Sequence, residues 1–151
     1  MSENAAPAPV KLWSMIIPIR WGDMDAHHHV NNSETTRYFE EARVAWSAHH
    51  HLRDNPAAGA MIVAKATIDY LRPLEYPGRV ISDIFTARIG NTSFTFRQTL
   101  TETSPASEEN SGVLTTTAEY VMVWYDYANK KSVPLPQNLR DILEGRVGVN
   151  G

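Results

Sequence analysis

The chain contains no cysteine, and this absence excludes several kinds of chemistry. Disulfide bonds, thiolate nucleophiles and cysteine-based zinc sites all require a thiol, so this sequence can form none of them. Any nucleophile, acid or base that the protein uses must therefore carry oxygen or nitrogen. Carboxylates, hydroxyls, imidazoles and backbone groups are the candidates that remain.

The sequence also contains no long apolar run and no excess of positive charge. No stretch reaches the roughly 20 apolar residues that a membrane-spanning helix needs. The 14 lysine and arginine residues are outnumbered by 17 aspartate and glutamate residues, which gives a formal net charge of −3. No basic stripe is interleaved with aromatic residues. We therefore expect no membrane insertion and no nucleic-acid binding.

The length of 151 residues fits a single domain of ordinary size. The alanine- and proline-rich start has neither the charged region nor the apolar region of a secretory signal. We therefore interpret residues 1–12 as a flexible leader and expect a cytoplasmic protein. The domain itself is predicted over residues 13–145, and residues 146–151 are predicted to be a flexible tail.

In the first part of the domain, apolar residues first alternate with other residues as in a strand and then recur at helical spacing. Alternation over Met15–Trp21 predicts a strand, which Pro18 places at an edge of its sheet. The polar loop Gly22–Asn32 follows. Three polar residues can cap the next helix, namely Asn31, Asn32 or Ser33. The apolar stripe of this helix recurs at helical spacing and comprises Thr35, Tyr38, Phe39, Ala42, Ala45 and Trp46.

The rest of the chain is typical of strands joined by turns. Four further strands and a short helix are predicted, over Met61–Leu71, Val80–Ile89, Thr92–Thr101, Val113–Tyr125 and Leu135–Leu143. A hairpin turn is predicted at Gly90-Asn91, and a polar loop at Thr101–Gly112. The order β-α-β-β-β-β predicts an α+β fold, in which an antiparallel sheet wraps over one long helix. Pairing of two subunits is one way to cover the open edges of such a sheet.

The loop before the helix carries the residues most suited to chemistry. Asp25 lies just upstream of the helix N-terminus, where free backbone N–H groups can bind the oxygen of a polarised carbonyl. A carboxylate beside such donors suits hydrolysis of an acyl group. Asp23, two residues earlier, is expected to hydrogen-bond loop amides and to fix the turn.

Five segments carry a family resemblance: RWGDMDA in this loop, HVNN at His29–Asn32, RYFEEAR at Arg37–Arg43, IDYLRPLEYPGRV at Ile68–Val80 and RIGNTSFTF at Arg88–Phe96. Together they resemble the hotdog-fold acyl-CoA thioesterases of the 4-hydroxybenzoyl-CoA thioesterase family. The resemblance covers nearly the whole chain outside the leader and the Thr101–Gly112 loop. It implies a hotdog fold, with a curved antiparallel sheet around one long helix, and a homodimer or homotetramer. It also implies an acyl-CoA or acyl-carrier thioester as substrate, with no cofactor beyond the coenzyme A of that substrate.

The resemblance also assigns roles to individual residues. Asp25 becomes the catalytic carboxylate, either as the nucleophile that attacks the thioester carbonyl or as the general base that deprotonates a water. The backbone amide of Asn32 becomes the group that polarises the carbonyl. Substrate contacts are implied for seven residues, His28, His29, Asn31, Thr35, Asn91, Thr92 and Ser93. The basic residues considered for coenzyme A phosphates are Arg72 and Arg79.

Two positions depart from the family pattern. His28 stands where the family usually has glycine, which adds bulk and a titratable ring to the loop. Thr35 stands where an aromatic residue is usual, which enlarges or polarises part of the acyl pocket. Both changes bear on which substrate the protein takes.

Two histidine runs and two helical carboxylates invite other interpretations. Adjacent side chains point apart on an extended loop and on a helix, so His27–His29 and His49–His51 are not expected to form a metal site. The helical carboxylates have arginines at helical spacing. This spacing predicts two surface ion pairs, Glu40–Arg43 and Arg37–Glu41.

The sequence leaves two alternative functions open. One is a non-catalytic hotdog protein that binds an acyl or aryl thioester, which His28 and Thr35 motivate. The other is an enoyl-thioester hydratase, for which Asp23 and His28 have a suitable offset. Thiol release separates hydrolysis from both alternatives, because neither of them breaks the thioester bond.

Overall fold

The computed structural model describes residues 9–103 and 112–147, which form one sheet and two helices. The strands are β1 (Val10–Pro18), β2 (Ala60–Tyr70), β3 (Arg79–Ile89), β4 (Ser93–Thr103), β5 (Val113–Asp126) and β6 (Lys131–Ser132). The helices are α1 (Asn32–His49) and α2 (Gln137–Leu143). Most of the predicted leader, most of the predicted Thr101–Gly112 loop and the end of the predicted tail lie outside the described residues.

All neighbouring strands of the sheet are antiparallel. They follow the order β1-β3-β4-β5-β2, and β6 pairs with the end of β5. The helix α1 packs against one face of this curled sheet and forms the core with it. This is the hotdog fold, so the predicted fold class is confirmed. Within the described ranges, no helix is long and apolar enough to span a membrane.

The sequence of α1 explains where the helix begins and which face it buries. Asn31 caps it, because its side-chain oxygen accepts a 2.9 Å hydrogen bond from the backbone N–H of Ser33. The predicted stripe is confirmed as core at Thr35, Tyr38, Phe39, Ala42 and Trp46, which are buried, whereas Ala45 is only partly buried. Each large apolar side chain contributes about 1.5–3 kcal/mol when it is fully buried. This face therefore fixes the helix, and with it the preceding loop, on the sheet.

The first strand begins and ends earlier than predicted. β1 already starts at Val10, so residues 10–12 belong to the sheet, and Trp21 lies beyond the strand and is 76% exposed. The cause is a single 3-10 turn at Trp21–Asp23, in which the Asp23 carboxylate accepts a hydrogen bond from the backbone N–H of Arg20. This turn breaks the alternation and directs the indole outward.

The strand β2 forms the other edge of the sheet, and α1 leaves part of its inner face uncovered. β2 pairs with β5, and a bulge at Ala64 interrupts the pairing. Directly opposite residues on two paired strands point to the same face. Val63 and Ala66 lie opposite the buried Met122 and Tyr120, so they face inward, yet both are exposed. β2 therefore presents an inward-facing apolar strip that a single subunit does not cover.

Candidate active site

The loop between β1 and α1 is closed by its own backbone. Met24 and Val30 form an isolated antiparallel bridge, and the N–H of Asp25 donates to the carbonyl of His29 over 2.9 Å. The N–H of His28 donates to the carbonyl of Asp25 over 3.0 Å. These hydrogen bonds hold the loop backbone in one conformation and so fix where the Asp25 side chain is attached.

His28 lies at the tip of this loop with a φ of 62°, in the left-handed region that favours glycine. This conformation gives a physical reason for glycine at the same position in the family. An L residue adopts it at a cost of roughly 1–2 kcal/mol. The His28 side chain is exposed and does not line the cavity beside Asp25. Its contact with substrate stays a prediction.

The Asp25 carboxylate is half-buried and is oriented by two neighbours. Oδ1 accepts a 2.9 Å hydrogen bond from the backbone N–H of His27, and Oδ2 accepts a longer one, 3.4 Å, from the side-chain amide of Asn31. Each carboxylate oxygen can accept about two hydrogen bonds, so both keep capacity for a substrate or a water. Asn31 thus serves both as the helix cap and as a partner of Asp25.

The start of α1 supplies the hydrogen-bond donor that complements this carboxylate. The backbone N–H of Asn32, the first residue of α1, donates to no group within the described ranges, as expected for the first turn of a helix. Asn32 and Asp25 line the same cavity. The helix dipole adds partial positive charge at this end. A carboxylate and a free amide donor are thus combined, which is the arrangement that acyl transfer needs.

The cavity beside Asp25 has a volume of about 340 Å³ and lies between the loop, the start of α1 and the ends of β2 and β5. The predicted residues His29 and Thr35 line it, and so does Arg72. Its other lining residues were not assigned to the site from the sequence, namely His27, Val30, Tyr70, Leu71, Pro73, Leu74 and Thr116. Four of them, Tyr70, Leu71, Pro73 and Leu74, lie in the segment Ile68–Val80, so the family resemblance of that segment was the available signal.

Part of the cavity wall is polar. Thr35 and Thr116 are almost completely buried, at 3% and 1% exposure, and both line the cavity. The Tyr70 hydroxyl is 3.5 Å from the Asn32 carbonyl oxygen, and the exposed Arg72 adds a positive charge. The cavity wall therefore contains hydroxyl groups and a positive charge beside its apolar side chains.

Asp23 has the structural role predicted for it. Its carboxylate is buried, and Oδ2 accepts hydrogen bonds from the Tyr38 hydroxyl at 2.6 Å and from the backbone N–H and the side chain of Arg20 at 3.2 and 3.3 Å. Burial raises the pKa of Asp23, but these hydrogen bonds outweigh it and hold the pKa below its ordinary value. The Asp23 carbonyl also accepts a bond from the N–H of Asn31. Asp23 therefore ties the loop to the helix.

The structure does not pair Asp23 with His28. The Asp23 carboxylate is buried against Tyr38, whereas the His28 side chain is exposed at the loop tip. Their offset in sequence has no counterpart in space, so the hydratase interpretation loses its basis.

The two ion pairs predicted on α1 are not formed. The Nε of Arg37 is 3.5 Å from the carboxylate of Glu34, which lies one turn earlier, so Arg37 pairs with Glu34 and not with Glu41. Arg43 turns inward, is only 8% exposed, and donates to the side-chain oxygen of Gln98 over 2.8 Å instead of pairing with Glu40. Helical spacing could not reveal this, because Gln98 lies on β4, far away in the sequence.

The hairpin residues predicted to meet coenzyme A lie at the other end of the sheet from Asp25. Ser93 pairs with Val123 on β5, whereas the cavity beside Asp25 is reached at Thr116 of the same strand. Seven residues separate these two positions, about 23 Å along a strand. A single subunit therefore does not bring Asn91, Thr92 and Ser93 to the cavity, and their contact with substrate stays a prediction.

Comparison with protein families gives one match over most of the chain. A model described as the thioesterase-like superfamily matches residues 19–143. No curated protein matches the sequence at a significant level.

Solved structures give further matches. A Pseudomonas aeruginosa protein assigned as a thioesterase is 31% identical, with a TM-score of 0.75 over 86% of this chain and 96% of that chain. A Xanthomonas campestris protein assigned as an acyl-CoA thioesterase is 33% identical, with a TM-score of 0.63 over 78% of this chain and 95% of that chain. A Thermus thermophilus thioesterase complexed with coenzyme A and Zn is 24% identical, with a TM-score of 0.71 over 86% of this chain and 95% of that chain. This last likeness shows that the two proteins share a fold.

Proposed function

The chain belongs to the thioesterase-like superfamily and is a hydrolase acting on thioester bonds, and from this premise we propose that Asp25 and the backbone N–H of Asn32 carry out the hydrolysis of an acyl-CoA. One observation supports this assignment above the others. The half-buried Asp25 and Asn32, whose backbone N–H has no partner within the described ranges, line the same cavity. The name of the Xanthomonas campestris protein supports acyl-CoA as the substrate class.

In the proposed reaction, the thioester carbonyl oxygen accepts a hydrogen bond from the N–H of Asn32 and is further polarised by the helix dipole. Asp25 either takes a proton from a water that attacks the carbonyl carbon, or attacks that carbon itself and forms a mixed anhydride, which a water then hydrolyses to restore the carboxylate. In both routes the carbon–sulfur bond breaks, the sulfur leaves with the electron pair and takes up a proton, and water supplies the second oxygen of the free acid. A thiol has a pKa of about 8.5, so the sulfur leaves without strong help from a general acid.

The cavity favours a short or polar acyl group. Buried hydroxyls of Thr35 and Thr116 can accept or donate hydrogen bonds to a hydroxyl or carbonyl on the acyl group. The positive charge of Arg72 lies in the same wall and suits a phosphate of coenzyme A.

The direct test is thiol release from a panel of acyl-CoA substrates. We expect the purified protein to release free thiol from at least one member, and to prefer short, hydroxylated or aromatic acyl groups over long saturated chains. A thiol-reactive dye measures the rate, and boiled protein serves as the control. Folded protein that releases no thiol from any member, yet is stabilised against heat by acyl-CoA, would instead support the non-catalytic alternative.

A homodimer is part of the proposal, because β2 leaves its inner apolar strip uncovered. Substituting Ala66→Lys places a charge on this strip and is expected to convert the assembly to monomers. The matched control is Thr67→Lys, one residue further on the same strand and therefore on the outer face. Light scattering after size exclusion measures the mass, which we expect to be at least twice 16.9 kDa for the unmodified chain and for the control. A monomeric unmodified chain, or equal masses for the two variants, would contradict the proposal.

A further inference from the structure

Two imidazoles line the cavity beside Asp25, and only one of them has a carboxylate partner. The His27 ring is exposed and forms no hydrogen bond or ion pair within the described residues. The Nε2 atom of His29 lies 3.4 Å from Oε1 of Glu75, and the His29 side chain is 45% exposed. His29 is therefore in contact with the cavity, with solvent and with a carboxylate.

The backbone on both sides of Glu75 is held to the catalytic loop. The N–H of Val30 donates to the carbonyl of Leu74 over 2.8 Å, and the N–H of Tyr76 donates to the sulfur of Met24 over 3.4 Å. Met24 and Val30 are the two loop residues that form the antiparallel bridge. The position of Glu75 relative to the loop is therefore fixed from either side, and its carboxylate is kept within reach of the ring.

The contact with Glu75 decides which nitrogen of the His29 ring is available to the cavity. A nitrogen that faces a carboxylate carries a hydrogen, so Nε2 donates to Glu75 and Nδ1 remains for a second proton. An imidazole that is oriented by a carboxylate is suited to transfer a proton to or from a reacting group. The ring can recover a proton from solvent after each turnover, because it is partly exposed.

The departing sulfur is the group that needs a proton in this cavity. Besides Asp25 and the imidazoles, the ionisable groups of the lining are Tyr70 and Arg72. Phenols and guanidinium groups are weaker acids than thiols, so they are poor proton donors to a thiolate. An imidazolium is a stronger acid than a thiol and can donate to it.

We propose that His29 gives the proton to the departing sulfur and that Glu75 is its positioning residue. The inference rests on the proposed hydrolysis and assigns the donor for its leaving step. As the carbon–sulfur bond breaks, the sulfur keeps the electron pair and takes the proton from Nδ1, while Nε2–H stays on Glu75. The neutral ring then takes a proton from water. Because thiolates leave easily, we expect an effect of about tenfold, below the usual range for general acids.

Two leaving groups test the role of His29. The same acyl group is supplied as its coenzyme A thioester and as its thioester with para-nitrothiophenol, a far more acidic thiol that leaves without a proton. We expect His29→Gln to lower kcat/KM about tenfold for the coenzyme A thioester, and less than about twofold for the aryl thioester. A displaced loop would instead slow both substrates alike. In the matched variant His27→Gln, any loss should be equal for the two substrates.

The role of Glu75 is tested by its dependence on His29. Glu75→Ala should lose nearly as much activity on the coenzyme A thioester as His29→Gln, and Glu75→Gln, which keeps an acceptor oxygen, should lose less. The double variant His29→Gln/Glu75→Ala should lose no more than His29→Gln alone, because Glu75 acts through the ring. Exposed ion pairs contribute little to stability, so the unfolding temperatures of all variants should agree.

The outcomes separate this inference from the proposed hydrolysis. If the unmodified protein is active and His29→Gln slows both thioesters equally, or neither, the inference is overturned and the proposed hydrolysis stands. Additive losses in the double variant would overturn the positioning role of Glu75. An unmodified protein that hydrolyses neither thioester contradicts the proposed hydrolysis, and with it the roles of both residues.

Discussion

Substituting Asp25→Asn is expected to lower kcat/KM for thioester hydrolysis by a factor on the order of 10³, because the amide can neither attack the carbonyl nor accept a proton from water. The fold should survive the change. The oxygen of an asparagine at this position can still accept the hydrogen bond from the N–H of His27. The measurement is thiol release under second-order conditions, with the temperature of unfolding recorded in parallel.

The matched control for this variant is Asp54→Asn. Asp54 is an exposed carboxylate beyond the far end of α1, and within the described residues its side chain forms a hydrogen bond or ion pair only with His51. The control should retain full activity, which separates a specific loss from a general effect of removing one negative charge. Unchanged turnover in Asp25→Asn, with unfolding temperature also unchanged, would remove Asp25 from the mechanism.

The parts of this site that lie close together in the sequence could be predicted from it. The strand, the polar loop and the capped helix follow each other within about thirty residues, and each has a local signal: alternation, charged loop residues, and a cap followed by an apolar stripe. Local rules therefore predict that Asp25 lies beside the start of the helix, and in the structure Asp25 and Asn32 line one cavity. The two residues share a cavity because α1 buries its apolar stripe against the sheet, and this packing fixes the position of the loop that precedes the helix.

The parts that depend on distant contacts could not be predicted. Tyr70, Arg72 and Thr116 reach the cavity because β2 and β5 are neighbours in the sheet, and strand order is not a local property of the sequence. Arg43 was assigned to the surface for the same reason, since the interaction with Gln98 on β4 turns it inward. Trp21 shows the opposite error, because a short-range hydrogen bond from Arg20 to Asp23 overrode a good strand pattern.

The second large effect is expected at Asp23, where substitution by alanine should destabilise the protein by about 2–3 kcal/mol at neutral pH. The change leaves the buried Tyr38 hydroxyl without its 2.6 Å acceptor and removes the acceptor of the Arg20 backbone N–H. Tyr38→Phe should cost less, because it removes one donor and leaves the carboxylate bonded to Arg20. Urea unfolding measures both variants. The control is Asp69→Asn, which changes an exposed carboxylate on β2 and should stay within about 0.5 kcal/mol of the unmodified chain.

The pH dependence of this effect identifies its cause. The folded-state pKa of Asp23 lies below the ordinary value of 3.8, so its ionised form stabilises the fold above the unfolded-state pKa, and this contribution is lost as the pH falls through the folded-state pKa. The stability difference between the unmodified chain and Asp23→Ala should therefore be largest near neutral pH and shrink in acid below about pH 4. A difference that is independent of pH would assign the effect to lost packing instead. The alanine variant keeps the backbone carbonyl that accepts the N–H of Asn31, but it loses the side-chain bonds that hold the loop to Arg20 and Tyr38. It should therefore lower kcat even where it remains folded, since a shifted loop moves Asp25 away from the Asn32 amide.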